Sequence, residues 1–393
     1  MIRRDVIIVG AGPAGASTAL GIARRDSRLA AGTLLLEKAT HPRDKTCAGG
    51  VIPKALRTLD ELGVPFEVPQ ARVDRALVDV PGRRVAVEDR DLCRVVRRRE
   101  FDAALARAAR ERGVELREDE RVVALARDGD GVRVETDRGT YWSRAVVGAD
   151  GSGSLVRRAL VPGDGGVVAR AVMTDVPLAA TRWTGAGADR YDFDFAACAL
   201  GLRGYRWVFP CLIDGTAHAN VGVYALPPVD GARLRRELAA VLAAVGATAH
   251  GWKAFPIRTL TPRSVTSAPR TLLVGDAAGV DPLMGEGISF ALEYGQLAAE
   301  TLVEANATGD WSFATYGRRV QRGPIGRKLR RLALGARLFY GRAGPIAFRI
   351  AGASPRAQAI GLRWYNGVDG WDERSAWRAL WTLVAGSAVE EAA

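Results

Sequence analysis

The chain has 393 residues, with 56 Lys and Arg against 44 Asp and Glu, which gives a formal net charge of +12. This length favours two domains, or one large domain with an inserted layer, over a single small core. Apolar residues make up 48% and charged residues 25%, which is typical of a folded globular protein, so disorder is not the default expectation.

The cysteines and histidines form no recognisable metal or disulfide pattern. No CxxC pair is present, which argues against a disulfide framework or a thiolate zinc site. The histidines lack metal-ligand spacing, and no Ser-His-Asp arrangement can be argued. We therefore expect reduced thiols and no metal. The residues concerned are Cys47, Cys93, Cys198, Cys211, His41, His218 and His250.

Most of the positive charge is arginine spread along the chain, which we interpret as a solvated surface rather than a nucleic-acid-binding face. One stretch is denser and precedes the apolar segment 332–340. It fits either an anionic membrane surface or an ordinary amphipathic helix packed on the body. Its members are Arg318, Arg319, Arg322, Arg327, Lys328, Arg330 and Arg331.

The first residues lead directly into a short apolar run and show no signal-peptide pattern. No apolar run reaches the roughly 18 residues that a membrane-spanning helix needs. We predict a cytoplasmic protein, with any membrane association peripheral and made through residues 318–340. The oligomeric state stays open.

The start of the chain has the pattern strand, glycine-rich turn, helix. An apolar run at residues 5–9 precedes Gly10-Ala11-Gly12-Pro13-Ala14-Gly15, and a helical stretch follows to about residue 25. In such a turn the first glycine permits the bend, the second lets the backbone approach a pyrophosphate, and the third lets the helix pack closely on the sheet. A second buried strand, residues 33–36, ends in Glu37, whose carboxylate suits ribose hydroxyls and repels a 2'-phosphate. The pattern predicts a site for FAD or NAD.

The remaining elements predict an α/β fold with two sheets. We expect helices at 53–62 and 99–112, alternating strands over 121–147, a mostly stranded block over 165–266 with one helix near 232–244, a buried strand at 271–274 and a helix at 285–304. We assign a Rossmann-type nucleotide-binding domain to 1–165 and 267–309, an inserted antiparallel-sheet substrate domain to 166–266, and a helical region to 310–393. A strand pair near 72–90 is left open as a further part of the substrate domain.

Two later motifs carry a family resemblance. Ala149-Asp150-Gly151-Ser152 follows a predicted strand, and Gly275-Asp276 follows another, with Pro282 and Gly285-Glu286-Gly287-Ile288 leading into a helix. With the opening turn, these resemble the group A flavoprotein superfamily, in which the aspartate of the Gly-Asp motif meets the ribityl chain of FAD. The resemblance covers roughly the first 310 residues and implies FAD rather than NAD.

Within that superfamily the chain resembles the geranylgeranyl reductase family. The matching residues are Lys45-Thr46-Cys47-Ala48-Gly49-Gly50, Arg98 before Phe101-Asp102, Tyr205-Arg206-Trp207-Val208-Phe209-Pro210, and Pro282 with the Gly-Glu-Gly-Ile run. Ala48 and Arg206 each stand where the family has glycine. We expect these two departures to alter the backbone near the flavin and one wall of the substrate cavity.

The resemblance implies roles for individual residues. Cys47, Tyr205, Trp207 and Phe209 are the predicted catalytic or substrate-lining residues. Core packing is an equal alternative for Trp207 and Phe209. Cys47 is a candidate proton donor or a thiol beside the flavin, with a small buried hydrophobe as the more frequent role of a lone cysteine. The predicted FAD-binding residues are Gly10, Gly12, Pro13, Ala14, Gly15, Glu37, Lys38, Cys47, Ala48, Gly49, Arg98, Val123, Asp150, Gly151, Gly275, Asp276, Pro282, Gly285, Gly287 and Ile288.

The expected activity is reduction of C=C bonds in a prenyl chain by hydride transfer from reduced FAD, with a small-molecule or lipid substrate. The reductant stays open between NAD(P)H and a reduced carrier protein, because no second dinucleotide fold is evident. Two other hypotheses remain: a group A monooxygenase or flavin-dependent halogenase of secondary metabolism, and an electron-transfer flavoprotein docked on a membrane through residues 318–331.

Overall fold

A computed structural model describes residues 1–163, 165–183, 189–248, 251–355, 357, 358 and 361. Its strands belong to two sheets of eight strands each. In chain order they are β1 Ile2–Val9, β2 Thr33–Leu36, β3 Gly50–Val51, β4 Gln70–Val80, β5 Arg83–Val96, β6 Glu115–Arg117, β7 Val122–Asp128, β8 Gly131–Thr136, β9 Thr140–Gly148, β10 Val167–Pro177, β11 Arg190–Asp194, β12 Gly204–Ile213, β13 Thr216–Ala225, β14 Lys253–Thr259, β15 Ser267–Ala268 and β16 Thr271–Leu273.

The helices of the described residues lie mostly around the first sheet and in the C-terminal part of the chain. They are α1 Pro13–Arg25, α2 Ser27–Ala31, α3 Pro53–Glu61, α4 Arg98–Glu111, α5 Leu155–Leu160, α6 Gly231–Ala244, α7 Ile288–Thr308, α8 Tyr316–Arg322, α9 Pro324–Phe339 and α10 Gly344–Ala353.

The first sheet has a parallel centre. Its strand order is β15-β16-β9-β1-β2-β6, with β8 added antiparallel to β9 and β7 added antiparallel to β8. The pairs β16–β9, β9–β1, β1–β2 and β2–β6 are parallel. Val6, Ile7 and Ile8 of β1 have no exposed surface, as expected for a strand covered on both faces. Parallel pairing places the carboxyl ends of these strands at one edge of the sheet.

The second sheet has the order β14-β10-β13-β12-β11-β4-β5-β3. Its pairs are antiparallel except that β11 runs parallel to β4. Strands β3, β4 and β5 come from the first 100 residues of the chain, so the sheet draws on two separate stretches of sequence. The structure therefore places the strand pair near 72–90 in this second sheet. Helix α6 covers one face, where Leu234, Leu238 and Val241 share a buried cluster with Val221 and Val223.

Most predicted elements have counterparts in the structure. The predicted α/β class, with a parallel sheet, an antiparallel second sheet and C-terminal helices, is confirmed. The strand at 33–36 has the predicted bounds. The helix predicted at 53–62 differs from α3 by one residue at its C-terminus, and the helix predicted at 99–112 differs from α4 by one residue at each end. The long helix predicted at 285–304 is α7, which starts at residue 288 and extends to 308. The C-terminal helices span 316–353, and residues 362–393 lie outside the described residues.

The opening turn depends on the absence of side chains at two positions. Gly10 has φ +102°, and a Cβ there would lie 2.5 Å from the Ala149 carbonyl oxygen. A Cβ on Gly15 would lie 1.9 Å from the Gly10 carbonyl oxygen and 3.2 Å from the Ala149 Cβ. Helix α1 therefore contacts the end of β1 and the loop after β9 more closely than any larger residue would allow. This confirms the packing role that the sequence predicts for the third glycine.

Substituting Gly15→Ala should lower the free energy of unfolding by about 3 kcal/mol, because the added methyl group meets backbone rather than a flexible side chain. Gly139→Ala is the matched control, since a Cβ at Gly139 has no heavy atom within 4 Å and its φ is not positive. That control should change the free energy by less than about 0.5 kcal/mol. Chemical denaturation followed by circular dichroism measures both, and equal values for the two variants would contradict the prediction.

Candidate active site

Four parallel strands deliver their following loops to one edge of the first sheet. The turn 10–15 follows β1, Glu37 follows β2, Asp150 follows β9 and Asp276 follows β16. These residues are far apart in sequence but lie around one cleft, as the crossover rule for open α/β sheets requires. The second sheet closes the cleft from the other side.

The cleft contains a cavity of about 930 Å³ between the two sheets. It is large enough for a dinucleotide and lies where such folds bind one. Sixteen of the residues predicted to bind FAD line it: Gly10, Gly12, Pro13, Ala14, Glu37, Lys38, Cys47, Ala48, Gly49, Arg98, Asp150, Gly151, Asp276, Gly285, Gly287 and Ile288.

Four predicted residues do not line the cavity. Gly15 and Gly275 lie beneath it, where Gly275 allows close packing on Ala14: a Cβ at Gly275 would approach the Ala14 Cβ to 2.9 Å. Pro282 contacts a cavity-lining residue through its backbone: its carbonyl accepts a hydrogen bond from the Tyr224 hydroxyl at 3.0 Å. Val123 does not line the cavity, and its side chain is 50% exposed, so an FAD contact of this residue stays a prediction.

Val123 lies at an irregularity of β7, where the pairing with β8 shifts register between Val122 and Ala124. Val122, its neighbour on β7, lines the cavity instead. At such an irregularity one residue is left outside the regular pairing, and here Val123 is exposed while Val122 faces the cavity. Sequence alone does not set the register of β7, because neither of its neighbouring valines is distinguished by its type.

Acidic and basic side chains form a connected group at the rim of α1. The Glu37 carboxylate accepts the backbone N–H of Ala11 at 3.0 Å and lies 3.4 Å from Arg43. Arg43 also pairs with Asp102 at 3.1 Å, and Asp102 pairs with Arg98 at 2.6 Å. Asp102 has no exposed surface, so two guanidinium groups balance its buried charge. The group holds Arg43 and Arg98 at the cavity wall.

Lys45 is a cation of the cavity that the site prediction missed. Its Nζ lies 3.1 Å from the centroid of the Phe255 ring, a cation–π contact. Burial and, to a smaller extent, the charge of nearby Arg98 lower the pKa of Lys45 to about 8, with Asp276 acting in the opposite direction. Lys45 stands in the motif quoted for the family resemblance, but a lysine in a loop carries no periodic signal, and Arg43 was missed for the same reason.

An aromatic wall faces this cavity from the second sheet. Alternate residues of β11 and β12 contribute to it, with the Phe193 and Phe209 ring centroids 5.2 Å apart and those of Tyr205 and Trp207 5.8 Å apart. Tyr205, Trp207 and Phe209 all line the cavity and are each at most 6% exposed. For these residues, core packing and a role in the cavity wall do not exclude each other, because the same rings pack on one another and line the cavity.

A chain of hydrogen bonds fixes the orientation of Trp207. Its Nε1–H donates to Asn220 Oδ1 at 2.8 Å, and Asn220 Nδ2 donates to Asp175 at 2.8 Å. Arg97 closes the chain with two bonds to the Asp175 carboxylate, at 2.9 and 2.8 Å. The indole rests on Gly222, where a Cβ would lie 2.2 Å from the ring. The ring thus has one available orientation.

Arg206 does not reshape the cavity, which corrects the expectation drawn from the sequence. Its guanidinium pairs with Glu237 of α6 and lies 3.1 Å from Asp194. Arg206 alternates with the cavity-facing Tyr205 and Trp207, so it lies on the opposite face of the sheet. Ala48, the other departure from the family pattern, does line the cavity.

Three tyrosine hydroxyls hold the loop between Asp276 and α7. They donate to three consecutive backbone carbonyls: Tyr224 to Pro282 at 3.0 Å, Tyr340 to Leu283 at 2.7 Å, and Tyr205 to Met284 at 2.6 Å. We call this set the tyrosine clamp. The three rings are at most 6% exposed, and burial raises the pKa of each hydroxyl far above its usual value. The Tyr205 hydroxyl is therefore a positioning group for the loop.

The basic stretch 318–331 does not form one exposed patch. Lys328 turns inward, where burial lowers its pKa, and Arg319 pairs with Glu300 at 2.6 Å and with Glu304 at 3.0 Å. On α9, Leu334 is 65% exposed. Membrane contact through 318–340 stays a prediction. No helix among the described residues is long and apolar enough to cross a membrane.

A family model described as FAD binding domain matches residues 3–327. Menaquinone reductase of Mycolicibacterium smegmatis is 30% identical over 344 residues, covering 79% of each chain. Digeranylgeranylglycerophospholipid reductase of Methanosarcina acetivorans is 30% identical over 333 residues, covering 79% of this chain and 77% of the relative. This chain belongs to the geranylgeranyl reductase family. As a member of that family it is an FAD-dependent oxidoreductase.

Solved structures show the same fold across the group A flavoproteins. The geranylgeranyl bacteriochlorophyll reductase-like protein of Thermoplasma acidophilum superposes with a TM-score of 0.77 at 20% identity, covering 92% of this chain and 96% of the other. A flavin-dependent brominase superposes with a TM-score of 0.71 at 20% identity, covering 99% and 98%. At this identity the likeness concerns the fold alone, so a reductase and a halogenase share the scaffold.

The cavity of this geranylgeranyl reductase family member fits FAD. Two buried polar atoms on its wall, Asp150 Oδ1 and Arg43 Nε, have no hydrogen-bond partner within the protein. Burial raises the pKa of Asp150, as expected for a carboxyl group that lacks part of its hydrogen bonding. The N-termini of α1 and α7 both reach the cavity through Pro13 and Ile288, and helix N-termini favour anionic groups.

Lys45→Met should weaken FAD binding and remove most of its pH dependence. FAD is an anion and favours charged Lys45 in the cavity wall, so binding above pH 8 requires proton uptake, and the wild-type affinity should fall by up to about tenfold per pH unit. Fluorescence titration of FAD measures this. Lys253→Met, an exposed lysine on β14, is the control and should behave as wild type. A wild-type affinity that stays constant above pH 8 would exclude the role of Lys45.

Tyr224→Phe should weaken FAD binding and lower the free energy of unfolding by about 1 to 3 kcal/mol, because the buried Pro282 carbonyl loses its donor. Tyr316→Phe is the matched control: its buried hydroxyl donates to the Leu273 carbonyl at 3.0 Å, in strand β16 and before the clamped loop. It should cost similar stability and leave FAD affinity unchanged. If both variants lose affinity equally, the effect belongs to general stability and not to the tyrosine clamp.

Proposed function

We propose that the protein reduces C=C bonds in the prenyl chain of a lipid or quinone. The observation that carries this proposal is a second, apolar cavity of about 260 Å³ that adjoins the flavin cavity. Phe193, Met284 and Glu286 line both cavities and form the wall between them. A long unsaturated chain could thus extend from the flavin into apolar surroundings.

The second cavity has the lining that an isoprenoid tail requires. Valines of β4 and β5, aromatic rings of β11 and residues of α9 and α10 surround it. Burial of apolar surface stabilises such a ligand by about 25 cal/mol per Å² without demanding a specific polar contact. The lining residues include Val78, Val80, Val85, Val87, Phe195, Leu332, Phe339 and Phe348.

The names of the relatives support the same substrate class. One is a menaquinone reductase and another a digeranylgeranylglycerophospholipid reductase, and the superposed Thermoplasma protein is described as geranylgeranyl bacteriochlorophyll reductase-like. These proteins differ in what carries the prenyl group, which suits a chain-binding cavity better than a head-group site. The substrate of this protein is accordingly proposed at the level of the prenyl chain.

The residues of the chain supply position and exclude water. Reduced FAD, when bound, supplies the hydride. The Trp207 ring, held by its hydrogen bond to Asn220, and the neighbouring Phe209 restrict an alkene to one orientation. Binding of the tail sets the distance between the alkene and the flavin. The tyrosine clamp holds the α7 N-terminus, whose positive dipole end stabilises negative charge in the cavity. Electrons come from NAD(P)H or a reduced carrier protein in this proposal.

The test is single turnover of the FAD-loaded, chemically reduced protein without oxygen. Geranylgeranyl diphosphate, menaquinone and a digeranylgeranyl lipid are the substrates. After air reoxidation of any quinol, mass spectrometry detects the two hydrogens added to the prenyl chain. Val87→Trp should suppress turnover of these long chains by filling the second cavity while sparing geranyl diphosphate. Ala86→Trp, the exposed neighbour on β5, is the matched control.

Three results would contradict the proposal. One is the absence of any hydrogenated prenyl product, and another is an oxygenated or halogenated aromatic product formed in air. The third is rapid reoxidation of the flavin by a quinone that is itself unchanged in its side chain. The last result would identify an electron-transfer flavoprotein.

A further inference from the structure

Five ionisable side chains lie together beneath the wall between the two cavities. Asp281 and Glu286 come from the loop held by the tyrosine clamp, Glu293 from α7, Lys54 from α3 and Lys328 from α9. Lys54 pairs with Glu293 at 2.9 Å. Asp281, Glu286 and Lys328 are the charged residues that line the mostly apolar second cavity within the described part of the chain. We call these five residues the junction cluster.

Glu286 is the member of the junction cluster that lines both cavities. Its carboxylate accepts the backbone N–H of Ser289 at 2.8 Å and the Ser289 hydroxyl at 2.6 Å. These contacts fix the side chain at the start of α7, beside the Met284 and Phe193 side chains of the shared wall. A chain passing from one cavity to the other would run past this carboxyl group.

The junction cluster has one more acidic than basic side chain, so binding of one proton to a carboxylate would make it neutral. Three carboxylates face two lysines, so full ionisation leaves one net negative charge away from bulk water. A buried net charge is costly, and the usual response is neutralisation by proton binding. The clamp hydroxyls of Tyr205, Tyr224 and Tyr340 are committed to backbone carbonyls, so they do not supply this proton.

The pKa directions agree with the charge count. Burial raises the pKa of Asp281 to about 7, against the lowering effect of its bonds from the Leu283 and Met284 N–H groups. Burial also raises the pKa of Glu286, and Lys328 opposes that rise. Lys328 itself has no hydrogen-bond partner on Nζ, and burial lowers its pKa. The raised pKa values of the two carboxyl groups thus favour a proton on Asp281 or Glu286.

We propose that Glu286 is the proton donor for the alkene, resupplied from Asp281 within the junction cluster; this inference rests on the proposed prenyl reduction. The hydride forms a C–H bond at one alkene carbon. The π electrons of the C=C bond form the second C–H bond with the proton of Glu286, which becomes a carboxylate. Asp281 then returns a proton to Glu286 and regains one from solvent. One hydride and one proton are added for each double bond reduced.

The first test reads the proton directly in the FAD-loaded protein, without turnover. Infrared spectroscopy should show a protonated carboxyl C=O band that disappears as the pH rises through about 7. Glu286→Gln should remove or weaken that band, because one of the two carboxyls sharing the proton is gone. Glu304→Gln is the control, since it removes a 64% exposed carboxylate from the same helix. A band unchanged by Glu286→Gln would overturn the inference.

The second test follows the pH dependence of single-turnover prenyl reduction. The wild-type rate should fall as the pH rises above 7, and Glu286→Gln should lower the rate by about 100-fold or more. Lys328→Met removes a positive charge, which raises the carboxyl pKa and moves the midpoint to higher pH. Glu293→Gln removes a negative charge and moves the midpoint to lower pH. A merely structural role predicts no such opposite shifts.

The outcomes separate the two proposals. A wild-type protein that forms no prenyl product overturns both the proposed function and the role of Glu286. A wild-type protein that forms product, with Glu286→Gln equally fast, overturns only the proton donor. Midpoints that move in the same direction in Lys328→Met and Glu293→Gln also overturn it. Opposite shifts with a slow Glu286→Gln support it.

Discussion

The site depends on one steric constraint, the contact of α1 with the end of β1 through Gly10 and Gly15. This contact lets the helix start directly at the sheet edge, so that its N-terminus faces the cavity. Helix α7 then packs on α1, where Gly295 lies against Ser17 and the Ser17 hydroxyl donates to the Leu292 carbonyl at 2.8 Å. Two helix N-termini thereby meet at one cavity, a suitable environment for an anionic cofactor.

The second sheet contributes in a different way, through side chains rather than backbone. Its inner face carries the aromatic wall, and two of its tyrosines reach across to the loop before α7. The loop would otherwise be a long connection with unpaired carbonyls, which is costly in a buried position. Because the same tyrosines bound the cavity and hold the loop, the shape of the substrate side and the position of the cofactor side are coupled.

The features that could be predicted from the sequence are those that a short local pattern determines. The glycine turn, the acidic strand end at Glu37 and the Gly-Asp motif are short-range signals with specific steric or charge requirements, and all were assigned to elements that the structure contains. Pairing of β4 with β11 is non-local, so only a strand pair near 72–90 could be suspected. The exposure of the Val123 side chain follows from an irregularity of β7 that the sequence does not signal, and the expectation for Arg206 failed because its face was not assigned.

Side chains without periodicity were the main omissions. Lys45 and Arg43 lie in a loop, and nothing in their spacing shows that they point into the cavity. Lys328 was counted among surface cations, yet it lies beneath the second cavity. Its inward direction depends on how α9 packs against α7, a tertiary contact that composition does not reveal. Clusters assembled from four separate elements, such as the one around Glu286, are beyond what chain order can indicate.

Strand β12 has two faces that belong to different cores. Val208 packs with α6 in one buried cluster, whereas Tyr205, Trp207 and Phe209 belong to the other and bound the cavity. Substitutions at the cavity-facing positions leave the packing under α6 untouched. Divergence among related enzymes can therefore proceed through a few alternate residues of a single strand, with new substrates accommodated while the supporting half of the sheet keeps its composition.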